Sequence, residues 1–254
     1  MKAVILAAGR GSRMAGRTDD RPKCLVELRR RPLIDWQISA LAAAGIDEIG
    51  VVRGYRGERL AGYGNRRFDN PRWSETNMVG SLLAADEWLA VGPVVVSYAD
   101  IVYGAATVAA LRSAPSAPIA VSYDPDWLWL WSRRFADPLA DAESFRLDGD
   151  RIVDIGRRVG DVREIEGQYM GLLRFEPAGW RAVRALLGGM SAAEVDRLDM
   201  TSLLRRLIEA GTAVKGVAAA GRWVEVDSGE DLELYERLID RGELTLVQGT
   251  GPRA

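Results

Sequence analysis

Strand-like apolar runs alternate with helix-like segments through the first half of the chain. Residues 2–7 form an apolar strand of the kind that is buried on both faces of a sheet. Residues 32–45 have helical spacing, with Pro32 suited to the first turn and Gly45 to the end. The rhythm continues with strands at 47–54, 92–103 and 117–124 and a helix at 77–90. This alternation predicts an α/β fold with a Rossmann-like, doubly wound and mostly parallel sheet.

The pattern changes after residue 125. Short strand-like runs follow at 143–147, 151–156 and 167–175, and they predict a smaller antiparallel-rich insertion. Helices are then predicted at about 177–189, 197–211 and 229–241, with a strand pair near 213–226. No internal repeat or low-complexity linker interrupts these segments. We therefore expect one domain over residues 1–244, followed by a flexible tail at 245–254.

Composition excludes several function classes. Lys and Arg number 34 against 36 Asp and Glu, and a net charge of −2 gives no general attraction to nucleic acid or to anionic membranes. Histidine is absent, which excludes histidine triads, histidine general bases and histidine-rich zinc sites. The chain has one cysteine, no apolar run of the about 20 residues that span a bilayer, and no signal peptide, so we expect a cytoplasmic protein.

A glycine-rich loop follows the first strand, where a parallel sheet binds its ligands. A dinucleotide loop requires G-x-G-x-x-G, but Met14 stands where the third glycine belongs. A Walker loop requires a Lys directly after its last glycine, and none follows Gly11 or Gly16. What remains is a longer loop from Ala8 to about Lys23, whose backbone N–H groups can approach an anion while charged side chains assist.

Carboxylates follow two later strands. Asp100 comes directly after an apolar strand, and Asp227 ends the strand "RWVEVD", with Glu225 two residues earlier on the same face. Carboxylate oxygens in an open geometry suit Mg²⁺, which takes the rest of its shell from phosphates and water. Either aspartate could instead cap the helix after it, and Asp227 is a good N-cap candidate.

The stretches "LAAGRGSRM" at 6–14 and "RPKCLVEL" at 21–28 resemble the nucleotidyltransferases that join a nucleoside triphosphate to a phosphorylated small molecule and release pyrophosphate. Later segments are similar to the cytidylyltransferases that act on phosphocholine and on small phosphonates. Those segments are 75–85, 97–103, 126–145, 165–175 and 222–232. The resemblance implies a nucleotide-binding part at about 1–124 and an acceptor-binding part at about 125–244.

The resemblance also implies roles for individual residues. Arg13 and Lys23 are the expected catalytic cations for the triphosphate, with Lys23 at the α-phosphate in the transition state. Asp100 and Asp227 are expected to hold Mg²⁺ as the cofactor. Asn77 is a candidate for base contact or, alternatively, for the N-cap of its helix. The expected nucleotide-binding residues are Leu6, Ala8, Gly9, Gly11, Ser12, Asn77, Gly80 and Ser81.

The acceptor side has several candidates. Trp127, Trp129 and Trp131 alternate, which places them on one face of an extended segment but spreads them around a helix. Such residues can bind a quaternary ammonium group, or form core, lid or dimer contacts. Arginines can bind the acceptor's phosphate or phosphonate through their fork of donors, and Arg133, Arg134, Arg157 and Arg158 are available, with the choice between the last two left open. The expected acceptor-binding residues are Trp129, Trp131, Arg133, Arg157, Glu166, Gln168, Tyr169 and Glu225.

The residues and the resemblance together favour a Mg²⁺-dependent cytidylyltransferase. It would convert CTP and phosphocholine, 2-aminoethylphosphonate or 2-hydroxyethylphosphonate to a CMP-linked product and pyrophosphate. One alternative is a sugar-1-phosphate nucleotidyltransferase that uses UTP or dTTP. Another is a non-catalytic nucleotide-binding regulator, against which the joint presence of Arg13, Lys23 and the two aspartates argues. Exposed aromatic residues in the tryptophan-rich segment would suit a homodimer.

Overall fold

The computed structural model describes residues 1–14 and 16–246. These residues form thirteen strands: β1 (Lys2–Ala7), β2 (Glu27–Leu28), β3 (Arg31–Pro32), β4 (Ile49–Arg53), β5 (Arg66–Asp69), β6 (Val94–Tyr98), β7 (Ile101–Val102), β8 (Ile119–Asp124), β9 (Phe145–Asp148), β10 (Arg151–Ile155), β11 (Gln168–Phe175), β12 (Val214–Ala218) and β13 (Val224–Glu225). The α-helices are α1 (Leu33–Ala43), α2 (Met78–Leu83), α3 (Asp86–Leu89), α4 (Ala105–Ser113), α5 (Trp127–Arg134), α6 (Pro177–Gly188), α7 (Ala192–Arg197), α8 (Met200–Glu209) and α9 (Gly229–Asp240). None of the described helices is long and apolar enough to cross a membrane.

Nine strands build the central sheet, in the order β5-β4-β1-β6-β11-β8-β12-β10-β9. Strands β5, β4, β1 and β6 are parallel neighbours, and β12 is parallel to β8. Strand β11 runs antiparallel to β6 and β8, and β9, β10 and β12 form antiparallel pairs at the far edge. The α/β fold class is therefore confirmed, and the antiparallel strands of the insertion extend the same sheet.

Several predicted boundaries shift for local reasons. The helix predicted at 77–90 is two helices, α2 and α3. The helix predicted at 197–211 begins only at Met200, because the side chain of Asp199 caps it by accepting the backbone N–H of Ser202 at 2.7 Å. The two strands predicted at 213–226 do not pair with each other, since β12 joins the central sheet and β13 pairs with β7. Residues 247–254 of the predicted tail lie outside the described part of the chain.

The core lies on both faces of the central sheet. Strand β1 is buried from its second residue to its last, as its apolar sequence predicts. Helix α1 buries Leu33, Trp36 and Leu41 and packs against α4 and the short strands β3 and β7, and Trp36 donates its ring N–H to the carbonyl of Leu28. The tryptophan-rich segment forms a helix, α5, so its aromatic side chains point in different directions.

A bulge shapes the strand that carries the candidate acceptor residues. The pairing of β11 with β8 shifts register between Tyr169 and Leu173, and Gly171 within this interval has φ +75°. A Cβ at Gly171 would lie 2.6 Å from the ring of Tyr98. Glycine is therefore required here both by the backbone conformation and by the close approach of Tyr98.

Replacing Gly171 by alanine should lower the free energy of unfolding by about 1–3 kcal/mol, because a side chain in the left-handed region is strained and Tyr98 must move. Urea unfolding followed by circular dichroism measures this change. Gly92→Ala is the matched control, since no heavy atom lies within 4 Å of its built Cβ. Equal stability of the two variants would show that the bulge does not require glycine.

Candidate active site

Two short strands bring the predicted metal-binding aspartates together. Strands β7 and β13 pair antiparallel, with Val224 opposite Val102 and Glu225 opposite Ile101. The backbone N–H of Val226 then donates to the carbonyl of Asp100 at 2.8 Å. Asp100 precedes one strand and Asp227 follows the other, so the antiparallel pairing places both carboxylates at the same end of this ribbon.

Both predicted catalytic cations contact these carboxylates. The Nζ atom of Lys23 donates to Asp100 Oδ2 at 2.8 Å and to Asp227 Oδ1 at 2.7 Å. Arg13 Nη2 also donates to Asp227 Oδ1, at 2.7 Å. The Lys23 side chain is largely buried, whereas that of Arg13 is mostly exposed. The structure thus brings together Arg13, Lys23, Asp100 and Asp227, the two cations and two carboxylates that the sequence predicted for one site.

Close packing against the glycine loop fixes the position of Lys23. Gly11 has φ +71°, and a Cβ built on it would lie 2.7–2.9 Å from the Cβ, Cγ and Cδ atoms of Lys23. The Gly11 carbonyl accepts the Met14 N–H at 3.0 Å and the Thr18 hydroxyl at 3.2 Å, which holds the loop in this shape. The missing side chain of Gly11 therefore makes room for the stem of Lys23.

Three carboxylates form a cluster suited to a divalent cation. Asp100, Glu225 and Asp227 each offer an oxygen, and these oxygens lie within 4.8 Å of one another. Asp100 Oδ1 is buried and has no hydrogen-bond partner among the described residues. A buried carboxylate oxygen without a donor favours a cation, and hard oxygen ligands suit Mg²⁺. The donor set therefore fits the expected metal, and it includes Glu225, which was assigned to the acceptor.

The charges in this cluster shift one another's titration. Burial lowers the pKa of Lys23, but the charges of Asp100 and Asp227 outweigh it and hold that pKa above its usual value. Burial raises the pKa of Asp227, but Lys23, Arg13 and Arg134 together more than offset it, so the pKa of this carboxyl lies below its usual value. Burial and then the charge of Asp227 raise the pKa of Glu225 to about 7. Lys23 and Asp227 are thus a stable ion pair at neutral pH.

Arg134 completes the cluster from the opposite side. Its guanidinium donates to Glu225 Oε2 at 3.0 Å, to Asp227 Oδ2 at 3.2 Å and to Asp231 Oδ1 at 3.0 Å. Arg134 was one of four candidates for the acceptor's phosphate, but these partners occupy it, which corrects that interpretation. Asp231 was not predicted at all. The capping motif Ser228–Asp231 at the start of α9 was the only signal for it in the sequence.

A cavity of about 270 Å³ opens beside these residues. Of the predicted nucleotide-binding residues, Leu6, Gly9, Gly11 and Ser12 line it. Arg13, Lys23, Asp100 and Asp227 line it too, together with Met78 and Tyr98, which were not predicted. The cavity is thus lined by the glycine-rich loop, by two cationic side chains and by two carboxylates.

The other predicted nucleotide-binding residues have roles within the protein. The carbonyl of Ala8 accepts the Tyr55 N–H at 2.9 Å. Asn77 is the N-cap of α2 and accepts the Met78 N–H at 2.8 Å, as its alternative interpretation expected. Ser81 is buried and accepts a hydrogen bond from Asn70. A Cβ on Gly80 would lie 2.5 Å from that of Thr76, so this glycine permits close packing. None of Ala8, Asn77, Gly80 and Ser81 lines the described cavity.

The tryptophan cage for an acceptor is not formed. Trp131 is fully buried and packs against Trp127 and Trp223, because α5 turns it toward the core, and this corrects its assignment to the acceptor. Trp129 is partly exposed, and the guanidinium groups of Arg133 and Arg222 lie over its ring, 4.3 Å and 4.0 Å from the ring centre. Two cations of the protein itself therefore already contact this ring. The segment therefore lacks the exposed aromatic surface from which a homodimer contact was expected.

The remaining acceptor candidates divide into two groups. Arg157 is exposed and pairs with Asp154 and Glu209, and Glu166 accepts the backbone N–H of Leu147. Gln168 and Tyr169 begin β11, and their Oε1 and hydroxyl atoms are buried without a hydrogen-bond partner in the described part of the chain. The Tyr169 ring packs edge-on against Tyr98, which lines the cavity. Tyr169 therefore lies beside the cavity through its contact with Tyr98, whereas Gln168, the preceding residue of the strand, points to the other face of the sheet.

The chain is similar in sequence to several known proteins. The family model of the MobA-like NTP transferase domain matches residues 3–159, more than half of the chain. A CTP:phosphoglutamine cytidylyltransferase from Campylobacter jejuni is 37% identical over an alignment of 250 residues that covers 92% of this chain and 98% of that protein. A choline-phosphate cytidylyltransferase from Streptococcus pneumoniae is 39% identical over 94 residues, 35% of this chain and 41% of that one.

A solved structure confirms the fold independently. The inositol-1-phosphate CTP transferase from T. maritima superposes with a TM-score of 0.73 at 20% identity, over 93% of this chain and 96% of that chain. At this level of identity the likeness supports the fold alone. The family resemblance that the first loop suggested is confirmed by the sequence comparisons, since the family model covers that loop and the relative from Campylobacter jejuni covers 92% of the chain.

The packing of Gly11 against Lys23 generates a testable prediction. Gly11→Ala should displace Lys23 and lower kcat/KM for nucleotidyl transfer by about 100-fold, since small misplacements of a catalytic group are that costly. Steady-state kinetics with pyrophosphate detection measure the change, and thermal unfolding shows whether the protein remains folded.

Gly9→Ala is the matched control on the same loop. Gly9 lines the cavity, but no heavy atom lies within 4 Å of its built Cβ. The fold and the position of Lys23 should survive, while KM for the nucleotide rises because the new methyl group enters the cavity. Identical kinetic defects in the two variants would contradict a specific role for Gly11 in placing Lys23.

Proposed function

Since the chain belongs to the MobA-like NTP transferase family, we propose that it is a cytidylyltransferase that transfers CMP from CTP to a small phosphorylated acceptor. The observation that carries this proposal is the position of Lys23, whose ammonium bridges Asp100 and Asp227 at the wall of the cavity. The choice of CTP rests on the relatives, because the cavity residues do not by themselves distinguish cytosine from other bases.

The reaction joins two anions. An oxygen of the acceptor's phosphate attacks the α-phosphorus of CTP, and a new phosphorus–oxygen bond forms there. The bond from the α-phosphorus to the bridging oxygen of the β-phosphate breaks, and its electron pair leaves with pyrophosphate. Catalysis of such a transfer consists mainly of positioning and charge stabilisation, so it requires neither histidine nor a protein nucleophile.

Two cationic side chains supply much of that stabilisation. The Lys23 ammonium is held protonated by its carboxylate partners and can meet the α-phosphate, where negative charge increases in the transition state. Arg13 carries a mostly exposed guanidinium at the rim of the same cavity, where it can bind the outgoing β- and γ-phosphates. Backbone N–H groups of the glycine loop add neutral donors for the triphosphate.

The carboxylate cluster supports Mg²⁺ as the cofactor. Asp100 and Asp227 would hold the ion, with Glu225 beside them. Bound Mg²⁺ supplies charge neutralisation for the triphosphate. The unpartnered Oδ1 of Asp100 and the separation of the three carboxylates favour this assignment over a helix-capping role for either aspartate.

The acceptor is best placed on residues 125–244, with the nucleotide on residues 1–124. Tyr169 supports this placement, because its ring packs against Tyr98, which lines the cavity. The relative that matches nearly the whole chain is named for phosphoglutamine, an acceptor outside the three expected from the sequence. Phosphoglutamine is therefore the first acceptor to test, followed by phosphocholine and 2-aminoethylphosphonate.

A matrix of substrates tests the proposed function. Pyrophosphate release is measured with Mg²⁺ for CTP, UTP, dTTP, ATP and GTP against phosphoglutamine, phosphocholine, 2-aminoethylphosphonate and glucose-1-phosphate. CTP should exceed each other nucleotide by at least about 10-fold in kcat/KM with one of the first three acceptors.

The other outcomes of this matrix decide against the proposal. Turnover restricted to glucose-1-phosphate with UTP or dTTP would identify a sugar-1-phosphate nucleotidyltransferase instead. Nucleotide binding by calorimetry without turnover for any pair would indicate a regulator that retains the fold.

Omitting Mg²⁺ and adding a chelator should abolish the release of pyrophosphate.

Substitution of Asp100 tests the metal assignment. Asp100→Asn should lower kcat/KM by at least about 100-fold, because even changes around the direct ligands of a metal lower affinity or activity by 10- to 100-fold. The protein should stay folded by circular dichroism. Asp150→Asn is the control, since Asp150 pairs with Lys215 away from the cluster, and its activity should match the wild type. Near-normal activity of Asp100→Asn would remove Asp100 from the metal site.

A further inference from the structure

Arg134 lies at the last turn of α5, enclosed by aromatic rings and carboxylates. Its side chain is 1% exposed, and its guanidinium lies 5.0 Å from the ring centres of both Trp131 and Phe135. All three of its nitrogen atoms donate to carboxylates. No face of the group remains for a nucleotide or an acceptor, so any effect of Arg134 on the reaction passes through its partners.

Arg134 binds one oxygen of Glu225 and one oxygen of Asp227 and leaves the second oxygen of each carboxylate for other partners. Arg134 takes Oε2 of Glu225 and Oδ2 of Asp227. Oδ1 of Asp227 is left for Lys23 and Arg13 on the cavity side. One oxygen of each carboxylate is therefore fixed by Arg134, which restricts the orientation of the other oxygen; for Asp227 that other oxygen lies on the cavity side.

Asp231 anchors this arrangement to the backbone. Asp231 Oδ1 and Oδ2 accept from Arg134 at 3.0 and 3.3 Å. Oδ2 also accepts the backbone N–H of Asp227 at 2.8 Å and that of Ser228 at 3.0 Å. The side chain of Asp227 is thus held by Arg134 while its backbone is held by Asp231, and the two supports are themselves an ion pair.

We propose that Arg134 is a positioning residue for metal binding, which orients Glu225 and Asp227 through its planar fork of donors. This inference rests on the proposed function, because it concerns the carboxylates assigned there to the metal. A guanidinium suits the task, since its donors have fixed directions and can serve several carboxylates at once. A lysine ammonium at the same position carries the charge but has no such fork.

Arg134→Lys tests the geometry of the fork while it retains the positive charge. Removing the charge altogether would leave buried carboxylates without compensation, which endangers the fold. Binding of Mn²⁺ to the full chain is measured by electron paramagnetic resonance, with and without CTP, next to the thermal midpoint of unfolding. We expect Mn²⁺ to bind about 10- to 100-fold more weakly than to the wild type, the range seen when partners of metal ligands are changed.

Arg174→Lys is the matched control. The Arg174 side chain is 3% exposed and donates to carbonyls at the end of α4, from Leu111 to Pro115, remote from the carboxylate cluster in its contacts. Its replacement should lower the thermal midpoint without changing Mn²⁺ affinity. If Arg134 had only a structural role, Arg134→Lys would likewise lower the thermal midpoint and leave Mn²⁺ affinity unchanged.

Asp231→Asn provides a second, milder variant. It keeps Arg134 but weakens the anchor of its guanidinium, so Mn²⁺ affinity should fall in the same direction by a smaller factor. Wild-type affinity for Mn²⁺ in both Arg134→Lys and Asp231→Asn would overturn the proposal, and so would a wild type that binds no Mn²⁺. Nucleotidyl transfer is measured in a separate assay. A wild type that binds Mn²⁺ but shows no transfer would refute the proposed function, and the Mn²⁺ affinities of the variants would still test whether Arg134 positions the metal-binding carboxylates.

Discussion

The site depends on positive charges that balance the negative charge of three carboxylates, which the fold holds close together. Pairing of β7 with β13 brings oxygens of Asp100, Glu225 and Asp227 within 4.8 Å of one another. Like charges at this separation repel, and burial makes each harder to keep ionised. Lys23 on one side and Arg134 on the other supply opposite charge through ion pairs of 2.7–3.2 Å. The cluster is therefore stable only as a complete set of anions and cations.

These ion pairs connect segments that lie far apart along the chain. Lys23 belongs to the loop after β1, Arg134 to the insertion, and Asp227 to the turn between β13 and α9. Each of these segments alone carries a charged side chain without a partner. When the segments associate, the charges of Lys23, Arg134 and Asp227 are all removed from water together. A buried ionic network of this kind contributes more to a unique arrangement than to stability, since desolvation offsets much of the attraction. It defines where the insertion meets the first loop.

Much of this architecture could be predicted from local sequence. Alternating apolar strands and helices predicted the sheet, and Lys23 and Asp100 were found because each follows a recognisable loop or strand. The rest depends on contacts between distant segments. Nothing in the "WSRRFA" stretch shows that Arg134 turns inward while Arg133 stays partly exposed, or that Trp131 enters the core. Those outcomes follow from the helical register of α5 against α9, which only the folded chain establishes.

For the proposed nucleotidyl transfer, the charge balance of the cluster favours a divalent cation together with the nucleotide. With Asp231 included, four carboxylates face three cationic side chains, and the shortage of positive charge is visible at Glu225, whose pKa burial and the charge of Asp227 raise to about 7. A triphosphate alone would add negative charge and oppose ionisation of Glu225 further. A divalent cation beside the unpartnered oxygen of Asp100 has the opposite effect. We therefore expect the proposed site to bind the nucleotide most readily together with the cation.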